Sequence, residues 1–221
     1  MIIYWDIDGT IIDTQSSGDC AINLLKETYN ISTNYSYKTT KLGVTDKFNL
    51  FQWYILFFKQ VPTTQSLNIF MSKYEDFLIK NLRNRYNILL GQLYPIFQYK
   101  DFTHRIFTGN RECLARRKLE LCQLTPYIDW EHSIFGDNTF TKYEALKSKS
   151  KHIDLFNGIP TVWISDSVND LSNIKFQDGY RVGVLTGKST YKEFITIGVD
   201  YIWDVIPCLE TFKKFLRFDL F

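Results

Sequence analysis

From about Pro95 onward, short apolar runs alternate with helical segments, and this alternation restricts the fold more than any other feature of the chain. The apolar runs are residues 104–108, 133–135, 161–165, 181–185 and 201–203. Helical patterns follow them at 111–122, 142–151, 170–175, 190–197 and 207–216. Strands alternating with helices predict a parallel sheet covered by helices on both faces. One further β-rich apolar run, residues 2–7, opens the chain and ends at Gly9-Thr10. Between Asp13 and Leu93 the pattern is helical. Ala21, Ile22, Leu24, Leu25 and Tyr29 carry one helix, Thr45 caps a second over 46–60, and a third starts after Pro62. The expected fold class is therefore α/β: a Rossmann-like parallel sheet core, residues 1–13 and 94–221, with an inserted α-helical cap, residues 14–93. Ligands of open parallel sheets sit at the carboxyl ends of the strands. An insert leaving from the end of the first strand stands over that position.

Composition narrows the class of protein. Of 221 residues, 45% are hydrophobic and 23% charged, ordinary globular values that exclude disorder. Lys+Arg 26 against Asp+Glu 24 leaves +2, which supplies no electrostatic reason for nucleic acid or an acidic membrane as partner. Cys20, Cys113, Cys122 and Cys208 form no C-x-x-C pair, so buried free thiols in a reducing compartment are expected rather than a zinc site. No run approaches the ~18 apolar residues of a membrane span. Asp6 and Asp8 interrupt the apolar start that a signal peptide requires. The expected location is cytoplasmic, and the expected state is monomer or homodimer.

Four short segments carry chemistry. Asp6-Ile7-Asp8-Gly9-Thr10 follows the first strand, and alternation lets Asp6 and Asp8 point the same way. Two carboxylates at the end of a buried strand are costly unless a cation or a proton holds them. Alone, the segment also reads as a strand followed by an Asx turn. Asp166-Ser167-Val168-Asn169-Asp170 again follows a strand and opens a helix, where Asp166 or Ser167 could simply be a cap. Thr108-Gly109-Asn110 sets a hydroxyl, a glycine and the first amides of a helix at a strand end, a pattern that suits an anion. Lys142 begins a helix, where a cation opposes the helix dipole unless an anion meets it.

Taken in order, these segments resemble the four motifs of the haloacid dehalogenase-like superfamily, in its helical-cap, phosphoglycolate phosphatase-like branch. Asp6-x-Asp8-Gly9-Thr10 resembles the first motif, Thr108 the second, Lys142 the third and Asp166-x-x-x-Asp170 the fourth. Lys147 and Lys149 are neighbouring candidates for the third. Ser165 stands where the family usually has Gly. The resemblance implies a phosphatase acting on a small phosphorylated metabolite through an aspartyl-phosphate. Asp6 would be the nucleophile and Asp8 the general acid and base. Mg²⁺ would be held by Asp6, the Asp8 carbonyl and Asp166, with Lys142 adding fixed positive charge. Thr108, Gly109 and Asn110 would hold phosphoryl oxygens, and Asp170 would orient Lys142 or a metal-bound water from behind. Lys38, Lys41 and Lys47 flank Gly43 and Thr45 in the segment resembling the cap's substrate-facing loop, so Lys41 is a candidate substrate contact.

Residue by residue, other branches fit less well. Asp8 opposes the dehalogenase and phosphonatase branches. Gly18 stands where the β-phosphoglucomutase branch has His, and His104, His132 and His152 read as structural. Thr186-Gly187-Lys188-Ser189-Thr190 ends like a P-loop, but Val182 occupies the place of the required glycine, so it reads as a loop. The helix at 46–60 has two apolar stripes, Phe48-Phe51-Ile55-Phe58 and Leu50-Trp53-Phe57. A packed cap core or a partner subunit would cover them. A non-catalytic phosphate-binding or regulatory module on the same scaffold is the alternative to an enzyme.

Overall fold

A computed structural model describes residues 1–14, 16–32, 44–83, 89–151, 158–175 and 179–218. Strand β1 (Ile2–Trp5) is buried along its whole length. Each of its two faces meets a different layer, which is why the run is continuously apolar rather than alternating. Strands β2 (Thr103–Ile106), β3 (Thr161–Ser165), β4 (Tyr180–Val184) and β5 (Tyr201–Trp203) complete a five-stranded sheet of order β2-β1-β3-β4-β5. All four pairings are parallel, with Trp5 opposite Ile106 on one side and Ile164 on the other. The chain turns to one side of β1 for β2 and to the other for β3. The crevice between β1 and β3 is thus the topological switch point, where open sheets bind ligands.

Helices cover both faces. Ile3 and Trp5 pack with Ile96 and Phe97 of α4 (Leu93–Phe97), Ala115 and Leu119 of α5 (Glu112–Leu121), and Phe212 of α9 (Leu209–Phe218). Ile2 and Tyr4 pack with Ala145 and Leu146 of α6 (Lys142–Ser150), Leu171 of α7 (Val168–Ser172) and Phe194 of α8 (Tyr191–Ile197). Tyr4 stacks on Trp163 at 4.1 Å between ring centroids. On the opposite face, His104 is buried against Trp5 and Phe97, with ring centroids 6.0 and 4.5 Å away. Trp5 Nε1 donates to its Nδ1 (3.1 Å), and its Nε2 lies 3.1 Å from the Ile96 carbonyl. Burial pulls its pKa down to about 4, so the ring stays neutral.

Three expectations are corrected. Of the four free cysteines expected to be buried, only Cys122 is; Cys20 is half-buried, and Cys113 and Cys208 are exposed. The run 133–135 is not a strand. It meets β2's edge through an isolated bridge, Phe107 with Ile134, because the Ser133 hydroxyl takes the Ile106 amide (2.9 Å) that a strand partner's carbonyl would take. Helix α4 was unexpected, because Pro95 reads as a boundary. Proline is tolerated in the first turn, where its missing N–H has no helical partner.

Between β1 and β2 lie α1 (Ser17–Thr28), α2 (Asp46–Phe58) and α3 (Thr64–Arg83). They share their own core, with Leu25, Trp53, Tyr54 and Phe57 around Phe70. Both stripes of α2 find partners within the chain. Leu50, Trp53 and Phe57 enter this core, while Phe48 and Phe51 meet Phe140 at 5.6 and 5.8 Å. No helix among the described residues is long and apolar enough to cross a membrane.

Candidate active site

The turn after β1 begins the site. The amides of Thr10, Ile11 and Ile12 all fold back on the Ile7 carbonyl. Gly9 closes the turn at φ +80°, and a Cβ there would lie 2.5 Å from Asp166 Oδ2. Glycine is therefore needed both for the backbone and for the approach of Asp166. Thr10 Oγ1 accepts from the Asp166 amide at 3.0 Å, which ties the ends of β1 and β3 together.

Asp6 is buried at the switch point. Its Oδ1 lies 2.9 Å from Lys142 Nζ and also accepts from the Ile7 amide at 2.8 Å. Lys142 Nζ reaches Asp170 Oδ2 at 2.5 Å. Of the three candidate lysines, the one at the start of α6 stands beside Asp6. Lys147 and Lys149 lie in the last turn of that helix. Ser165 Oγ donates to Asp170 Oδ2 (2.9 Å) and lies 3.4 Å from Asp6 Oδ2. Ser165 therefore sets a hydroxyl between two carboxylates. Burial pushes the Asp6 pKa well up, Lys142 opposes, and the Asp170 and Asp166 charges add to the rise. Lys142 is held charged, because its two carboxylates outweigh its own burial.

Asp8 has separate partners. Both of its oxygens accept from Lys118 Nζ, at 2.6 and 2.7 Å, and Asn110 Nδ2 donates to Oδ2 at 3.1 Å. Burial opposes the ion, but Lys118 and Asn110 more than offset it and lower the Asp8 pKa. Lys118 was not foreseen. A signal was present: with Leu114, Ala115 and Leu119 it completes the buried stripe of α5. Asn110 Nδ2 also donates to Asp46 Oδ2 (2.7 Å), so the first residue of α2 reaches into the site. Burial raises the Asp46 pKa to about 6; Lys118 opposes and Asp8 adds to it.

Thr108 is buried, and its Oγ1 accepts from the Asn110 amide at 3.3 Å. The Gly109 carbonyl accepts from the Asp46 amide at 3.0 Å, which docks the start of α2 on this loop. Thr45 adds a bond from its Oγ1 to the Thr139 carbonyl, 2.7 Å. Across the insert, Glu75 of α3 takes a two-pronged contact from Arg111, at 2.6 and 2.8 Å. The structure thus brings Asp6, Lys142, Asp166 and Asp170 into one charged cluster, and Asp8, Asn110 and Asp46 into a neighbouring one. Lys38, Lys41 and His152 lie outside the described residues. Lys47 is described and stands over the Phe140 ring, 6.0 Å from its centroid. A cavity of about 540 Å³ opens above the two clusters, between α1, α2, α3 and the loop at 186–188.

The donor set fits Mg²⁺. Asp6 and Asp166 carboxylates and the Asp8 carbonyl are oxygen donors, the type this ion takes. The cluster sets three buried carboxylates, Asp6, Asp166 and Asp170, against one side-chain cation, Lys142. Such an excess of buried negative charge is costly without a cation. Asp170 Oδ1 is buried with no hydrogen-bond partner, so an acceptor there is still unmatched. Among the described residues, no three His, Cys, Asp or Glu side chains form a cage for an ion. A set that takes one ligand from the backbone does not call for one.

No protein-family model matches the chain. No curated protein matches it. Solved structures do. A predicted phosphatase from Clostridium acetobutylicum superposes with a TM-score of 0.67 at 16% identity, covering 97% of both chains. A hydrolase of the haloacid dehalogenase-like family from Streptococcus pneumoniae gives 0.65 at 12%, also over 97% of both. YfnB from Bacillus subtilis, carried under the name of a HAD-hydrolase and solved bound to magnesium, gives 0.62 at 17%, over 97% of both. The chain has the fold of the haloacid dehalogenase-like hydrolases, a parallel sheet with a helical cap.

Proposed function

We propose that this chain, with its haloacid dehalogenase-like fold, is a Mg²⁺-dependent phosphatase of small phosphate monoesters, with residues 14–93 as the cap over a core of 1–13 and 94–221. The observation that carries this reading is the pair Asp6 and Asp8 on one turn with two different environments. Asp6 lies buried against Lys142 and two further carboxylates, whereas Asp8 is held by Lys118 and Asn110. Two titratable groups with diverging environments mark a division of roles.

Asp6 attacks phosphorus, and Lys142 stays charged beside it to offset the approach of one anion to another. Asp170 and Ser165 hold Lys142 and the Asp6 carboxylate in position. Thr108 and the amides that follow it take the phosphoryl oxygens. Asp8, held as the anion by Lys118 and Asn110, takes up a proton from solvent as the substrate's charge arrives, passes it to the leaving oxygen and later takes one from the attacking water, so Asp6 is regenerated. Mg²⁺ held by Asp6, Asp166 and the Asp8 carbonyl would neutralise phosphoryl charge. The test is hydrolysis of a generic phosphate ester with and without Mg²⁺. Turnover that needs Mg²⁺ and is inhibited by Ca²⁺ is expected, because Ca²⁺ accepts looser, higher coordination. A non-catalytic module would bind phosphate and release no alcohol under either condition.

The cap wall ranks the substrates. The charged cap residues lining the cavity among the described residues are Asp19 and Asp46, while Asp8, Asp13, Lys118, Asp166 and Lys188 come from the core. A second negative charge on the leaving group meets like charge there. Esters with a neutral or ammonium-bearing leaving group are expected to exceed phosphoglycolate in kcat/KM by about tenfold or more. Phosphoglycolate outranking phosphoethanolamine would remove this ordering and leave the phosphatase reading intact.

A further inference from the structure

The segment Thr186-Gly187-Lys188, which reads as a loop in the sequence, is built around Asp166. The Lys188 amide donates to Asp166 Oδ2 at 3.0 Å, and the Ser189 amide donates to the Asp166 carbonyl at 3.1 Å. Thr186 Oγ1 donates to the Gly9 carbonyl at 2.6 Å, so the loop is tied to both halves of the switch point. A Cβ at Gly187 would lie 1.9 Å from Asp166 Oδ2, which leaves glycine the one residue that fits this approach. Gly187 and Lys188 line the cavity beside Asp8, Gly9 and Asp166.

Three lysines stand at the site, and two are already engaged. Lys142 is paired with Asp6 and Asp170, and Lys118 with Asp8. Lys188 has its backbone anchored, but its ammonium makes no ion pair or hydrogen bond among the described residues. Its charge still reaches the site, because it acts on both Asp8 and Asp166. A dianionic phosphoryl group entering the cavity therefore meets, among the described residues, one uncommitted lysine, on a loop fixed by three hydrogen bonds.

We infer that Lys188 is a substrate-binding residue of the proposed phosphatase, taking a phosphoryl oxygen of the incoming ester. The inference rests on the phosphatase reading. It assigns Lys188 to capture rather than to the chemical step. Removal should therefore raise KM more than it lowers kcat.

The experiment compares wild type, Lys188→Gln and Lys188→Arg with 4-nitrophenyl phosphate and Mg²⁺, and measures product inhibition by inorganic phosphate. Lys188→Gln is expected to raise both KM and the phosphate inhibition constant about tenfold, the range of a lost charge-assisted hydrogen bond. Its kcat should change by less than about threefold. Lys188→Arg should restore most of the phosphate affinity, which a purely structural role would not require. Unchanged KM and phosphate inhibition in Lys188→Gln overturn the inference. So does an equal fall in kcat with KM constant. Wild type without activity and without phosphate binding removes the phosphatase reading itself, and the inference with it.

Discussion

Asp6→Asn abolishes turnover, lowering kcat by roughly 10⁴-fold or more, as expected when a nucleophile that works as part of a unit is removed. An amide oxygen does not attack phosphorus, and no neighbouring group can replace it, since Asp8 and Asp170 are already held by lysines. The loss is chemical rather than structural. Asparagine has the same shape, and its Oδ1 can still accept from Lys142. Stability should move the other way. The Asp6 pKa is raised in the folded chain, so its ion is disfavoured there and wild-type stability falls as pH rises through that pKa. Asp6→Asn lacks this cost and should melt at the same temperature as wild type or higher at pH 7. The two curves should approach each other in acid. Steady-state assays with Mg²⁺ and thermal melts at several pH values check both halves, with deamidation excluded by mass spectrometry. Substantial activity in the intact variant would falsify the nucleophile assignment.

The contrast between local and distant contacts explains what the sequence made legible. The strand-helix alternation places Asp6, Asp8, Thr108 and Asp166 at neighbouring strand ends, because each follows a local apolar run, while Lys142 is marked by its place at the start of a helix. Lys118 is different. It meets Asp8 across 110 positions, and its own neighbourhood is an ordinary amphipathic helix. Only its place on the buried stripe marks it. Ser165 reads as a small substitution until Asp6, 159 positions away, is placed beside it. The loop at 186–188 resembles a broken P-loop, and its glycine acquires a reason only when Asp166 stands 1.9 Å from where a Cβ would be. The misread strand at 133–135 has a similar cause. A short apolar run signals burial, but whether it joins the sheet depends on who takes the Ile106 amide, and here a side chain takes it.

Asp8→Asn should separate the two halves of the proposed reaction. The nucleophile survives, while the proton donor and the base are lost, a change that typically costs ~10²–10⁴-fold. With a good leaving group such as 4-nitrophenolate the first step needs little acid help, so Asp6 still becomes phosphorylated. Water then lacks its base and the phosphorylated enzyme accumulates. Mixing the variant with substrate and Mg²⁺, quenching in acid and taking the intact mass should reveal a phosphate adduct on Asp6 that wild type clears. Stability should fall, opposite to Asp6→Asn, because Lys118 is buried and loses its only ion-pair partner among the described residues. The loss should stay below the ~3–5 kcal/mol of a fully buried pair, since the Asp8 side chain is 34% exposed and Asn110 Oδ1 still accepts from Lys118 at 2.9 Å. The Asp8 pKa is lowered in the folded chain, so its contribution is present above the unfolded carboxylate pKa and is lost as pH falls through the folded one. The difference in melting temperature from wild type should therefore be widest near neutrality and close in acid. Unchanged turnover would remove Asp8 from the acid-base role. Lost turnover without an adduct would move its part to the first step alone.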